Sequence, residues 1–186
     1  MKHSVDDTIA AIATPVGVGG VGIIRISGKR AREALFSVFR SHNDITVDSH
    51  KMIHGWIVRD ETGESIDEVM VCYMESPRSF TREDVVEIYC HGGQVVLGRV
   101  LELVLSRGIR MAERGEFTKR AFLNGRLDLS QAESILDLIN AKTEVGADYA
   151  IKQLEGRLKE KTKDIIQIST GMAAIILTVI TINRGL

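Results

Sequence analysis

The chain has 186 residues, a formal net charge of −1, 44% apolar residues and 26% charged residues. That composition is globular and excludes global disorder, and a near-neutral chain has no overall pull on nucleic acid, so RNA binding would need a local patch or further chain. The two cysteines, Cys72 and Cys90, form no CxxC pair, which provides neither a disulfide framework nor a zinc site and fits a reducing cytoplasm.

The opening MKHSVDDTIAA has no apolar core of signal-peptide length. Residues 7–13 (DTIAAIA) predict a strand, and 14–20 (TPVGVGG) a loop punctuated by Pro and Gly. Val21–Ser27 (VGIIRIS) is a β-branched strand, and 29–39 has apolar residues at helical spacing. Residues 51–59 and 66–74, split by a polar turn at 60–65, predict a hairpin. Residues 83–90 alternate as a strand, and Gln94–Ser106 follows as an amphipathic helix. After Gly115 strand signals vanish. Glu116–Leu123 is a short helix. Residues 130–141 form another, with Ser130 as N-cap and Glu133 at capping-box spacing. From Thr143 to about Ile182 the pattern is one long helix or two. The uncharged run at 165–183 is interrupted by Gln167, Ser169, Thr170, Thr178 and Thr181 and has no basic cluster beyond it, so it reads as a buried helix of a soluble bundle, not a membrane span. The fold class is therefore α+β over residues 1–118, followed by an all-α segment over 119–186, without internal repeats.

Gly17-Val18-Gly19-Gly20-Val21-Gly22 fits GxGxxG letter for letter. The dinucleotide fingerprint needs a helix after the glycines, and here a β-branched strand follows. The loop either simply joins two strands or lets a ligand lie close to the backbone. No P-loop is present: Gly28-Lys29 is followed by Arg30, and Ile23 stands where the leading Gly should be. Arg25 sits inside an apolar strand, where a charge is costly unless it is paired or at the surface. Facing solvent it does nothing; facing a pocket it can grip a carboxylate with both arms of its fork. Glu87 shares one face of its strand with Val85 and Tyr89. It is either solvated or placed to accept from a ring with adjacent N–H donors, such as a pterin. Cys90 and His91 are neighbours on a strand and point to opposite faces, which excludes a nucleophile–base pair. Arg126 follows Asn124-Gly125, a helix C-cap signal, and is either a linking residue or a ligand contact on a rigid turn.

Three stretches carry a resemblance: DTIAAIATPVGVGGVGIIRISG, PRSFTREDVVEIYCHGG and RGEFTKRAFLNGRLDLSQAESILDLINAKT. In that order and spacing they closely resemble the MnmE (TrmE) family of bacterial tRNA-modification GTPases, over roughly residues 6–176. The resemblance implies an N-terminal domain of the tetrahydrofolate-binding type, with a mixed sheet and flanking helices, which binds 5-formyl- or 5,10-methylene-tetrahydrofolate and joins two subunits as a homodimer. It implies folate contacts at Arg25, Glu87 and Arg126. It implies a cytoplasmic protein that works with the FAD-dependent MnmG to modify C5 of the wobble uridine U34 of tRNA. In the full-length family GTP, Mg2+ and K+ are further cofactors.

The inserted GTPase domain and the C-terminal motif with its Cys and Lys are absent from these 186 residues, and the helical domain is incomplete. The expectation is a fragment or truncated product with no GTP hydrolysis of its own, no catalytic residue and no metal site. The alternative is a stand-alone folate-dependent aminomethyl transferase, since the same fold supports both. Such an enzyme needs an acid–base group beside the folate carbon, and the sequence offers only Glu87, which a pterin would occupy.

Overall fold

The computed structural model describes residues 7–15, 17–41, 47–59 and 62–156. The chain divides into two compact units, 1–126 and 127–186. The sequence change near residue 118 falls inside a helix that ion pairs hold to the first unit.

The first unit is built on a seven-stranded sheet: β1 (Ile9–Ile12), β2 (Val21–Ser27), β3 (Phe39–Arg40), β4 (Met52–Arg59), β5 (Glu64–Met74), β6 (Val85–His91) and β7 (Arg110–Met111). The spatial order is β3-β4-β5-β6-β2-β1-β7. Every pairing is antiparallel except the parallel one of β1 with β7. The sheet is therefore mixed, and the glycine-rich loop joins two antiparallel strands, β1 and β2, with no helix after it.

Alternation along the strands sets two faces. Ile24 and Ile26 of β2, Val86 and Ile88 of β6, and Val69 and Val71 of β5 are buried in one core with helices α1 (Ala31–Phe36) and α2 (Gln94–Ser106). Helix α2 contributes Leu97, Val100 and Val104, each stabilising by about 1.5–3 kcal/mol as it leaves water. The predicted helix at 29–39 is only six residues long, because Phe39 and Arg40 leave it to pair with Ile57 and Trp56 of β4.

Helix α3 (Glu116–Leu123) closes the first unit through a buried ionic network. The Arg120 side chain is 3% exposed and donates to Asp7, Glu83 and Glu116. Arg110 on β7 bridges Asp7 and Glu116, each at 2.6 Å. Burial raises the Glu116 pKa, but hydrogen bonds from Arg110, the Glu113 backbone N–H and Arg120 outweigh it and hold the carboxyl down to about 2. Asp7 is also lowered, by its hydrogen bond from Arg110, against desolvation and with help from Arg120.

The second unit is a helical hairpin, α4 (Leu129–Asn140) and α5 (Glu144–Leu154). Asp128, not Ser130, is the N-cap of α4. Its side chain accepts from the Gln131 backbone while the Gln131 side chain accepts from the Asp128 N–H, so the capping box lies two residues earlier than predicted. The rest of the predicted helix beyond residue 156, with its apolar run, lies outside the described residues. Among the described residues no helix is long and apolar enough to cross a membrane.

Candidate functional site

The sheet face opposite the core changes character along its strands. At one end Ser27 and Val85 are buried, and the Ser27 hydroxyl lies 2.7 Å from both Thr81 and Glu83. At the other end Val21 is 61% exposed, and the His91 side chain beside it is 70% exposed. Arg25 and Glu87 sit between the two ends, where the cover from the 76–84 segment and α3 gives out.

Arg25 and Glu87 are direct cross-strand partners in the β2–β6 register. Their side chains meet: Arg25 Nε donates to Glu87 Oε1 at 2.8 Å and Nη2 lies 2.7 Å from the same oxygen. The second oxygen, Oε2, accepts from the Tyr89 hydroxyl at 2.6 Å. That bond, then burial, pushes the Tyr89 phenol up to about 12. The pair is half-buried, at 29% and 12% exposure. A carboxylate offers about four acceptor positions, so Oε2 has room for a further donor.

Arg126 joins the group through an aromatic ring. Gly125 has φ +70°, a backbone that favours glycine, and the Arg126 and Gly125 N–H groups return to the carbonyls of Ala121 and Phe122 at 2.9 and 3.0 Å. This Schellman turn aims Arg126 back over the first unit. Its guanidinium lies 4.8 Å from the centre of the Phe80 ring. The Arg25 guanidinium lies 5.8 Å from the same ring and 5.6 Å from that of Phe117. Phe80 is thus shared by two guanidiniums, both within cation–π range. The structure brings all three sequence-derived residues into one patch: a carboxylate with spare acceptor capacity, two guanidiniums and two flat rings.

Phe80, Phe117 and Tyr89 were not singled out by the sequence. Tyr89 had a signal, since it shares the Glu87 face at i+2. The phenylalanines had none, because their partners lie in other elements. Cys90 is buried on the core face, opposite to His91, as alternation requires. Burial, then the nearby Asp67 charge, pushes its thiol up to about 12, so it is no nucleophile. The glycine-rich loop closes on the start of α2: a Cβ on Gly92 would lie 2.3 Å from the Gly19 carbonyl oxygen, so only glycine fits there.

Residues 8–126, which contain this whole patch, match the family described as the GTP-binding protein TrmE N-terminus. The chain is 59% identical over 160 residues to the tRNA modification GTPase MnmE of Acetivibrio thermocellus, covering 86% of this chain and 35% of that protein. It is 53% identical over 164 residues to the protein of the same name from Alkaliphilus oremlandii, covering 87% and 36%. A third, from Carboxydothermus hydrogenoformans, is 53% identical over 174 residues, covering 92% and 38%. The chain spans about a third of the length of these relatives, and with its sheet, its α3 motif and nearly two thirds of its residues matched, it belongs to the TrmE N-terminal family and corresponds to the N-terminal part of MnmE.

Proposed function

We propose that this chain is the folate-binding and self-associating portion of a tRNA-modification GTPase that acts at C5 of the wobble uridine U34, in the cytoplasm, with tRNA and the FAD-dependent MnmG as partners. The ligand is a tetrahydrofolate carrying one carbon, in the 5-formyl or 5,10-methylene form. The observation that carries this reading is the Arg25–Glu87 pair, half-buried where the open sheet face loses its cover, with Arg126 and Phe80 beside it. The donor set suits a reduced folate. Glu87 Oε2 accepts from the N–H and amino edge of a pterin, the Phe80 and Phe117 rings offer flat contact, and the guanidiniums suit the ligand's polar or carboxylate groups. When bound, the folate supplies the carbon unit; the chain's residues bind and orient it. Self-association is supported by the exposed apolar side chains of the open face, among them Val21 and Met52.

Calorimetric titration with 5-formyltetrahydrofolate tests the site. Glu87→Gln keeps the shape but replaces an acceptor with a donor, which costs about 1–3 kcal/mol or more, so binding weakens by about tenfold to several-hundredfold. Equal affinities in two proteins that melt alike would remove Glu87 from the site.

A further inference from the structure

Beyond Glu87 the same face of β6 presents Tyr89 and then His91, both outside the set of assigned contacts. His91 is held by one carboxylate from the neighbouring strand. Its Nδ1 lies 2.7 Å from Asp67 Oδ1, and its backbone N–H donates to Asp67 Oδ2 at 2.9 Å. The Asp67 side chain is 8% exposed, so the anchor is buried while the imidazole is not. With Nδ1 engaged, Nε2 is the outward nitrogen, and it has no hydrogen-bond partner among the described residues. His91 lines a cavity of about 310 Å³ together with Gly20, His54, Glu68, Met70 and Tyr89. Tyr89 joins this cavity to the candidate site: it lines the cavity, and its hydroxyl donates to Glu87.

The ligand's shape makes that continuity useful. A reduced folate has its N–H and amino edge at one end of the bicyclic ring and its one-carbon nitrogens toward the other. Side chains on one strand face recur about every 7 Å. A ring gripped at Glu87 and lying along β6 therefore brings its one-carbon end level with Tyr89 and the cavity.

We propose that His91, held by Asp67, is the proton-bearing contact for the one-carbon end of the bound folate, with Nε2–H of the charged imidazole donating to the formyl oxygen or to a nitrogen acceptor there. The inference rests on the folate reading of Arg25 and Glu87. It assigns His91 a binding role, with no bond to carbon made or broken. A neutral imidazole with its proton on Nδ1 offers only an acceptor at Nε2, so the charged form is the one that binds. The charges around His91 favour that form. Asp67 and Glu68 come from β5, and the hydrogen bond to Asp67 raises the His91 pKa. From β4 comes His54, paired with Glu68 at 2.7 Å. From β6 comes Tyr89, and Val21 stands opposite on β2. The described loop residues 17–20 and Gln94 at the start of α2 bring no charge.

The test follows the imidazole resonances of the wild-type chain by NMR between about pH 5.5 and 8.5, with and without 5-formyltetrahydrofolate, whose own groups keep their charge across that range. Among the five histidines, His91→Gln identifies the His91 resonance and His54→Gln that of the other imidazole lining the cavity. The His91 midpoint should rise by about one unit on binding, and affinity should fall by about tenfold as pH rises through it. By calorimetry, His91→Gln should flatten that pH profile with little change in melting temperature, whereas Glu87→Gln should weaken binding and keep the profile. A His91 midpoint unmoved by ligand, with Glu87→Gln still weakening binding, overturns the His91 assignment and leaves the folate reading standing. No binding to the wild type removes both.

Discussion

Two arginine–carboxylate systems stabilise the first unit, and they differ in what is left over. Around Arg120 and Arg110, two cations meet Asp7, Glu83 and Glu116, and the Arg120 side chain is almost fully buried. That network joins the segment before β1, β7, α3 and the segment before β6; its central cation is buried, while Asp7 and Glu83 at its margin also line a cavity of about 280 Å³. Arg25 and Glu87 form a single pair on a half-open surface, with one oxygen able to accept more and two rings alongside. The same chemistry makes a staple where the cation is buried and a site where it is left half-open.

Breaking the staple should give the largest effect. Arg120→Met leaves Glu83 without its cation and Asp7 and Glu116 with Arg110 alone, and removing one partner of a buried ion pair costs about 3–5 kcal/mol. Urea unfolding should show that loss, while Arg25→Met should cost less than half as much. Equal losses would erase the distinction between the two systems.

The second effect is a pH dependence. Asp7 and Glu116 have folded-state pKa values lowered below their ordinary values, Glu116 to about 2. A lowered carboxylate contributes stability that is present above the unfolded pKa and is lost as pH falls toward the folded one. Urea midpoints should therefore fall between about pH 4.5 and 2, and Glu116→Gln should flatten that slope. An unchanged slope would place the acid sensitivity elsewhere. The smallest effect is expected at Arg99 and Glu64, 2.6 Å apart but with side chains 43% and 51% exposed. Solvent screens such a pair, so Arg99→Ala should leave the urea midpoint unchanged within replicate error. A clear loss there would mean that distance, not burial, sets the strength of these pairs.

What the sequence made legible follows from length and period. Helix α2 was legible from end to end and β2 likewise, because thirteen residues at helical spacing, and a seven-residue run with four β-branched residues, leave little choice. The two-residue strands β3 and β7 carry no periodicity and were invisible. The α4 N-cap was displaced because Ser130 and Asp128 both suit a cap, and only Gln131 at the third position of the helix decides between them. For the site, Arg25, Glu87 and Arg126 stood out as polar residues in apolar or rigid settings. Their connections did not: Phe80 meets Arg25 across 55 positions and Asp67 meets His91 across 24, and no local pattern encodes such pairs. The ionic network was unreadable for the same reason, since Asp7 and Arg120 are 113 residues apart.

That separation sets an order of events during synthesis. The residues of β1 and β2 are both available once residue 27 has emerged from the ribosome, yet the other edge of β1 waits for β7 and Ala112 after it, which take the Thr8 and Ala10 carbonyls. Of the cations that hold Asp7, Arg110 arrives with β7 itself and Arg120 still later, in α3. Through most of translation the first strand is therefore an uncovered edge, and such an edge invites pairing with other chains. A nascent chain becomes fully sealed only after about two thirds of these residues have been made.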